Sequence, residues 1–410
     1  MSSDHLPEGW TVAKISDITI KGEQRKPSSE ETFTYVDIGS IDRDRKCISS
    51  PQYLAGNNAP SRARKVIKTG DVLVSLTRPN LNAVALVPDE LDNQIASTGF
   101  EVVKPLSVDS RFVFALTKSK DFIDSISGVV QGALYPAAKS SDVQAYTFQL
   151  PALAEQKVIA DKLDTLLAQV ETTKARLELI PEILKTFRQS VLAAAVSGKL
   201  NAGDYQQAPV YKALGDVGVE VKTGPFGSAL HKSEYISGGI PVINPMHISN
   251  GTIVASQQMT IPKAKYDELE AWHLKIGDVV VGRRGEMGRA AVVNYKGEML
   301  CGTGSMILRT PKNSLPKYLE IILRSPLAVE YFTSNSVGST MVNLNQKIIK
   351  SLQVHFPSQE EQTEIVRRVE KLFAYADKVE AQVKTAQARV NQLTQSILAK
   401  AFRGELTANW

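Results

Sequence analysis

Residues 150–200 read LPALAEQKVIADKLDTLLAQVETTKARLELIPEILKTFRQSVLAAAVSGKL, and residues 356–406 read FPSQEEQTEIVRRVEKLFAYADKVEAQVKTAQARVNQLTQSILAKAFRGEL. Laid over one another at an offset of 206 positions, the two stretches match without a gap. Pro151 meets Pro357, Glu155 and Gln156 meet Glu361 and Gln362, Leu166 meets Leu372, Gln189 meets Gln395, and Gly198 meets Gly404. A gapless self-match over about fifty residues is an internal repeat, and a repeat sets the architecture before any single element does.

Each copy is predicted to be one long helix. In the second, Ile365, Val369, Leu372, Ala376, Val379, Val383, Ala386, Val390, Leu393 and Ile397 step alternately by four and three, the seam of a coiled coil. The first has Ile159, Leu163, Leu166, Val170, Thr173, Leu177, Ile180, Leu184, Phe187 and Val191 in the same register, and only Thr173 breaks the apolar stripe. Pro151 and Pro357 precede the helices, Ser358 with Glu361 forms a capping-box pattern, and Gly198 and Gly404 stand where a C-cap glycine belongs. Pro181 is predicted to kink or interrupt the first helix. At about 1.5 Å per residue, some 40 helical residues make a rod roughly 60 Å long, and two such rods packed together make a spacer.

The repeat continues more faintly upstream. KTGDVLVSL from Lys68 parallels KIGDVVVGR from Lys275, each a turn followed by a β-branched run and hence a buried strand. STGFEVVKP then parallels CGTGSMILRTP, FVFALTKSKDF parallels YLEIILRSPLA, and the stretch leading into Pro151 parallels that leading into Pro357. The skeleton is shared while the loops diverge. The predicted fold is therefore α+β: two similar domains, residues 1–150 and 201–356, separated by two long antiparallel coiled-coil helices in segments 151–200 and 357–410, with a pseudo-twofold internal repeat.

Composition sets the class. The chain has 410 residues, 43% apolar and 22% charged, as in soluble globular proteins. No apolar run reaches the roughly 18 residues that span a bilayer, and the N-terminus shows no basic region followed by an apolar stretch, so a membrane or secretory role is not expected. Cys47 and Cys301 are far apart and form no CxxC pair, which speaks for a reducing compartment, the cytoplasm by default. The net charge of +5 lies mostly in residues 201–356, with 16 Lys and Arg against 12 Asp and Glu. That excess is small for a whole-domain nucleic-acid footprint.

Catalytic constellations are missing from the sequence. It contains no GxxxxGK[ST] loop, no GxGxxG after a strand and no GxSxG elbow. Asn244-Pro245-Met246-His247 has part of the Asn-Pro-Pro-aromatic pattern of amino-methyltransferases but lacks the second proline and the aromatic. Asp142 with Glu155 and Lys157 looks like a nuclease metal set, yet the twin reads Glu361-Gln362-Thr363, and a carboxylate at a helix start answers the helix dipole. The five histidines show no ligand spacing. A binding or scaffold protein with no catalytic, metal or cofactor site of its own is expected.

Candidate DNA contacts cluster in the divergent loops. They are Arg43, Arg45 and Lys46, then Arg62, Arg64 and Lys65, then Arg78, Asn80 and Asn82 in the first domain. In the second they are Arg283, Arg284, Arg289, Asn343, Asn345 and Lys347. Arg, Asn and Gln make bidentate contacts to purine edges, while Lys and Arg position the phosphate backbone. Arg78 and Arg283–Arg284 gain weight because both follow the Gly-Asp strand.

Taken together, LPEGW at residues 6–10, the two Gly-Asp strands, the paired Pro…Glu-Gln helix starts, and EIVRRVEKLFAYAD and LTQSILAKAFRGELT near the end resemble the specificity subunits of Type I restriction-modification systems, close to the enteric type. The resemblance covers essentially the whole chain. It implies a non-catalytic subunit in which each target-recognition domain reads one half of a split, asymmetric site on double-stranded DNA. It further implies that the helices set the spacing and bind two methyltransferase subunits, with Glu155, Gln156, Gln189, Glu361, Gln362 and Gln395 as the partner-binding candidates, and that restriction subunits join to cut DNA. S-adenosylmethionine, ATP and Mg would be used by those partner subunits. The chain stops at Trp410 soon after the second helix, so a C-terminal extension is expected to be short or missing. Two other readings stay open here: a stand-alone DNA-modifying enzyme, and a coiled-coil assembly protein without a DNA role.

Overall fold

The computed structural model describes residues 6–128, 137–201, 210–226, 228–336 and 343–408. The chain divides into two compact units, residues 1–178 with 385–410, and residues 179–384. Segments 151–200 and 357–410 are therefore each shared between the units, and each unit holds one globular domain with part of each long helix.

In the first unit, a three-stranded antiparallel sheet runs in the order Phe100–Val103, Val72–Ser75, Val84–Leu86. A four-stranded mixed sheet runs Gln52–Ala55, Thr32–Val36, Ile95–Ser97, Ala63–Val66, with the central pair parallel. Val36, Ile67, Leu73 and Phe100 fill one apolar cluster of this domain. Strand Thr11–Lys14 pairs antiparallel with Thr147–Leu150, so the domain's two ends are tied together where the first long helix begins. The Gly-Asp motif is a turn device. Gly70 adopts φ 83°, a left-handed value that a side chain would oppose, and Asp71 Oδ2 accepts the Lys68 N–H at 2.8 Å and the Lys104 ammonium at 2.7 Å.

The second unit repeats this plan. Its four-stranded antiparallel sheet is ordered Glu220–Thr223, Ser305–Arg309, Val279–Gly282, Ala290–Val292, and Tyr211–Ala213 pairs with Gln353–His355. Gly277 has φ 88°, and Asp278 accepts the Lys275 N–H at 2.9 Å and Arg309 Nε at 2.9 Å. The helix pairs match at an offset of 206 as well. Ser119 caps Lys120–Ser127 through Phe122 N–H, and Ser325 caps Pro326–Asn335 through Ala328 N–H.

The two long helices are Leu153–Val196, of 44 residues, and Gln359–Ala401, of 43. Within the first unit Lys162 Nζ reaches the Leu406 carbonyl at 2.7 Å; within the second Arg188 bonds Asp377 and Glu380 at 2.8 Å, and Arg368 reaches the Leu200 carbonyl at 2.8 Å. Numbers rise along one helix as they fall along the other, so the helices are antiparallel. Their ends belong to the domain cores. Ile159, Leu163, Leu398 and Ala401 share a cluster with Trp10, Phe112 and Phe122, and Val191, Ala195, Ile365 and Val369 share one with Val279, Tyr318 and Phe332. Burying a side chain such as Leu163 stabilises by about 1.5–3 kcal/mol, so each helix end is anchored chiefly by this burial.

Two expectations need correction. Leu393, assigned to the seam, is 43% exposed. Pro181 does not interrupt the first helix, which runs through it. Its ring removes the amide that would have bonded the Leu177 carbonyl, and that carbonyl instead accepts Gln387 Nε2 from the other helix at 3.4 Å. The left-handed glycines end the helices as the sequence indicates, with φ 75° at Gly198 and 76° at Gly404.

Candidate nucleic-acid interface

In the first domain the hairpin Ile41–Asp42 with Cys47–Ile48 carries Arg43 and Arg45, both exposed, at its turn. Asp42 Oδ1 accepts the N–H groups of Asp44 and Arg45, which shapes the turn. Lys46 follows in a left-handed conformation, φ 55°, and donates to the Asn82 carbonyl at 2.6 Å. That bond joins the hairpin to the loop after strand Val72–Ser75, which carries Arg78 and Asn80, both exposed. Two separate sequence clusters thus become one surface. Burial pulls the Lys46 ammonium down to about 8.

Other first-domain candidates are engaged within the fold. Asn82 is buried, and its amide donates to the Thr117 carbonyl at 2.9 Å. Lys65 is paired with Glu101 at 3.0 Å, and the guanidinium of Arg64 folds back on the Ala63 carbonyl at 2.7 Å. Arg62 is exposed just before strand Ala63–Val66.

In the second domain Arg283 and Arg284 follow strand Val279–Gly282. Arg284 forms an antiparallel bridge with Asn343, its Nε donating to Asn343 Oδ1 at 2.8 Å, and the Leu344 N–H donates to the Arg283 carbonyl at 2.9 Å. Arg283 Nε is buried without a hydrogen-bond partner among the described residues, and burial together with Arg284 lowers its pKa. An anion or a base edge would satisfy that donor. Arg289 is bound by Glu286 and by the Pro245 carbonyl, Asn345 caps helix Gln346–Lys350 through the Ile348 N–H, and Lys347 is exposed.

The match between Arg78 and Arg283–Arg284 shifts by a residue. The twin bridges are Thr77 with Ala137 and Arg284 with Asn343, so Arg284 occupies the place of Thr77, and Arg78, φ 49°, that of Gly285, φ 77°. Thr223, which accepts from Gln346 Nε2 at 3.2 Å, lies at the same sheet end. Nothing local in the sequence links these two positions, 123 apart.

Most of the partner-binding candidates are spent inside the chain. Gln156 is 2% exposed, accepting the Asp109 N–H and donating to the Pro151 carbonyl, both at 2.9 Å. Gln362 is 1% exposed, accepting the Leu315 N–H and donating to the Pro357 carbonyl, both at 2.9 Å. Glu155 accepts Trp10 Nε1 at 3.1 Å and Thr407 Oγ1 at 2.6 Å, so the LPEGW stretch clasps the end of the second helix. The Glu361 N–H donates to Ser358 Oγ at 3.3 Å. Gln395 accepts the Lys120 N–H at 2.8 Å and donates to the Lys118 carbonyl at 3.0 Å. Glu155, Gln156, Gln362 and Gln395 fasten domain to helix, while the Glu361 bond is a local cap at the helix start. Gln189 alone of the six is exposed.

No helix among the described residues is long and apolar enough to cross a membrane, and none of their His, Cys, Asp or Glu side chains form a group of three able to hold a metal. The family model for the Type I restriction modification DNA specificity domain matches twice, over residues 7–182 and 210–386. The chain belongs to that family. Among its members, the Type I restriction enzyme EcoKI specificity subunit of Escherichia coli (strain K12) is 35% identical across all of this chain and 92% of its own length. The StySPI specificity subunit of Salmonella potsdam is 33% identical over the same shares. The crystal structure of the HsdS subunit from Thermoanaerobacter tengcongensis aligns over 98% of this chain and 99% of that one, with TM-score 0.72 and 27% identity. A Type I specificity protein built as two α+β domains and two long helices is thus what the residues assemble.

Proposed function

We propose that the chain is the DNA-reading, non-catalytic subunit of a Type I restriction-modification complex. Each domain reads one half of a bipartite, asymmetric site on double-stranded DNA. The helix pair sets the gap between the halves and offers equivalent places to two methyltransferase subunits, and restriction subunits join that core. S-adenosylmethionine, ATP and Mg serve the partner subunits. The observation that carries the reading is the contrast inside the repeat. From position 109 onward the helices, the Ser119 and Ser325 caps and the Gln156 and Gln362 clamps recur at an offset of 206, while the basic loops differ in length and side chains. Machinery common to two sites should repeat, and readers of two different half-sites should not.

Mapping N6-methyladenine across a genome with and without this chain tests the reading. A bipartite motif whose two halves differ is expected only when the chain is present. Replacing Arg283 and Arg284 by Ala should relax one half-site and leave the number of methyltransferase copies unchanged. Methylation by the purified chain alone, or equal binding of the complex to all duplexes, would sink it.

A further inference from the structure

The turn at residues 244–247 has no role in the reading above. It follows strand Ile240–Ile243 as a single tight turn, Pro245–His247, closed on itself. The Asn244 N–H donates to His247 Nδ1 at 3.1 Å, and the His247 N–H donates to the Asn244 carbonyl at 2.9 Å. The floor beneath it is glycine. A Cβ on Gly282 would stand 3.1 Å from Cβ of Pro245, and one on Gly304 2.9 Å from its Cδ, so the proline ring lies directly on the end of strand Val279–Gly282 and on the turn before Ser305–Arg309. Arg289, itself held by Glu286, donates to the Pro245 carbonyl at 3.2 Å.

So fixed, the turn leaves one large side chain outside. Met246 is 69% exposed, whereas His247 is 4% exposed. An apolar side chain held in water contributes little to the fold. The Arg283 N–H donates to the Gly304 carbonyl at 2.9 Å, which ties the arginine loop to the same glycine turn. The first domain has the matching turn after strand Thr32–Val36. There the Asp37 N–H donates to Ser40 Oγ at 3.1 Å, the Ser40 N–H donates to the Asp37 carbonyl at 3.0 Å, and the position of Met246 is Gly39. The turn is common to both domains and the methionine belongs to one.

We propose that Met246 is a specificity-determining residue of the second domain, making an apolar contact with a base of its half-site. This deepens the DNA-reading function proposed above and rests on it. Exposed apolar side chains at a DNA-reading surface contact the thymine methyl group or press against a base step, and they discriminate between sequences without neutralising a phosphate.

The test uses the chain in complex with its methyltransferase partners, with affinities for the mapped target duplex and for a scrambled duplex measured across a salt series. Met246→Gly, which installs the first domain's residue, and Met246→Ala are each expected to weaken target binding about tenfold, the usual effect of one lost base contact. Scrambled-duplex affinity and the slope of log K against log salt should stay at wild-type values, since no ionic contact is removed. Met246→Leu should retain target affinity. Unchanged target affinity in the Gly and Ala variants, an equal loss on both duplexes, or losses that track the melting temperatures of the variants would overturn the proposal. A wild-type complex that prefers no duplex would instead overturn the reading on which it rests.

Discussion

The side-chain oxygen of Gln156 accepts the backbone N–H of Asp109 at 2.9 Å, at the start of helix Ser110–Thr117. Its own amide donates to the Pro151 carbonyl, so one buried side chain couples the domain's helix to the turn that launches the long helix. Gln362 does the same between Leu315 and Pro357. Replacing either glutamine by Ala leaves a buried N–H and a carbonyl without partners, at about 1–3 kcal/mol for each such group. Gln156→Ala and Gln362→Ala are each expected to lower thermal stability clearly. The two glutamines share no partner, so their effects should add in the double variant. Calorimetry checks this, and a single variant with wild-type Tm would show that the clamps are dispensable.

Pro181 should be a net liability to its helix. The Leu177 carbonyl, deprived of its amide donor, has a 3.4 Å side-chain bond in place of a helical one. Pro181 is exposed, so Ala introduces no clash and restores the donor. A mid-helix proline costs about 3 kcal/mol relative to Ala, and its restriction of the unfolded chain returns up to about 1. Pro181→Ala is expected to raise Tm with assembly unaltered; a lowered Tm would mean that the helix needs the proline's geometry.

How much was legible in the sequence follows from distance along the chain. The seam from Ile159 to Val191 and its twin were readable because helical period is local, and so was the Gly-Asp turn, whose donors and acceptor lie three residues apart. The partners of Gln156 and Glu155 were not. A Glu-Gln pair at a helix start matches both an N-terminal charge and a partner site, and the bonds to Asp109, Trp10 and Thr407 exist only once the fold brings those residues in. The candidate interface divides the same way. Arg and Asn marked the loops, but the link from Lys46 to Asn82 spans 36 positions, and the burial of Asn82 is set by Thr117. Composition identifies residues able to contact DNA; packing decides which of them are available.

Arg283 offers a sharper test than charge removal alone. Its Nε has no hydrogen-bond partner among the described residues, and burial holds its pKa below the ordinary arginine value. A planar guanidinium that waits for a bidentate acceptor should not be replaceable by a point charge. Arg283→Lys is therefore expected to lose target discrimination nearly as fully as Arg283→Ala, a change of about 1–3 kcal/mol at one base pair, while keeping the wild-type salt slope. If Lys restores discrimination in duplex-binding assays, Arg283 touches phosphate rather than a base edge.

Lys46 gives a pH dependence whose sign differs for folding and for binding. Burial lowers its pKa from 10.5 to about 8 in the folded chain, so between those values the unfolded chain holds more protons, and stability contributed by this group rises with pH across that window. A phosphate beside the ammonium acts the other way. It raises the pKa in the complex, so DNA binding takes up a proton above about pH 8, and affinity should fall as pH rises through that value. Lys46→Arg, charged throughout, is expected to flatten the binding profile, and Lys46→Ala to reduce the salt slope by about one. Titration of duplex affinity from pH 7 to 9 checks both. A profile that falls equally in the wild type and in Lys46→Arg would take Lys46 off the DNA-contacting surface.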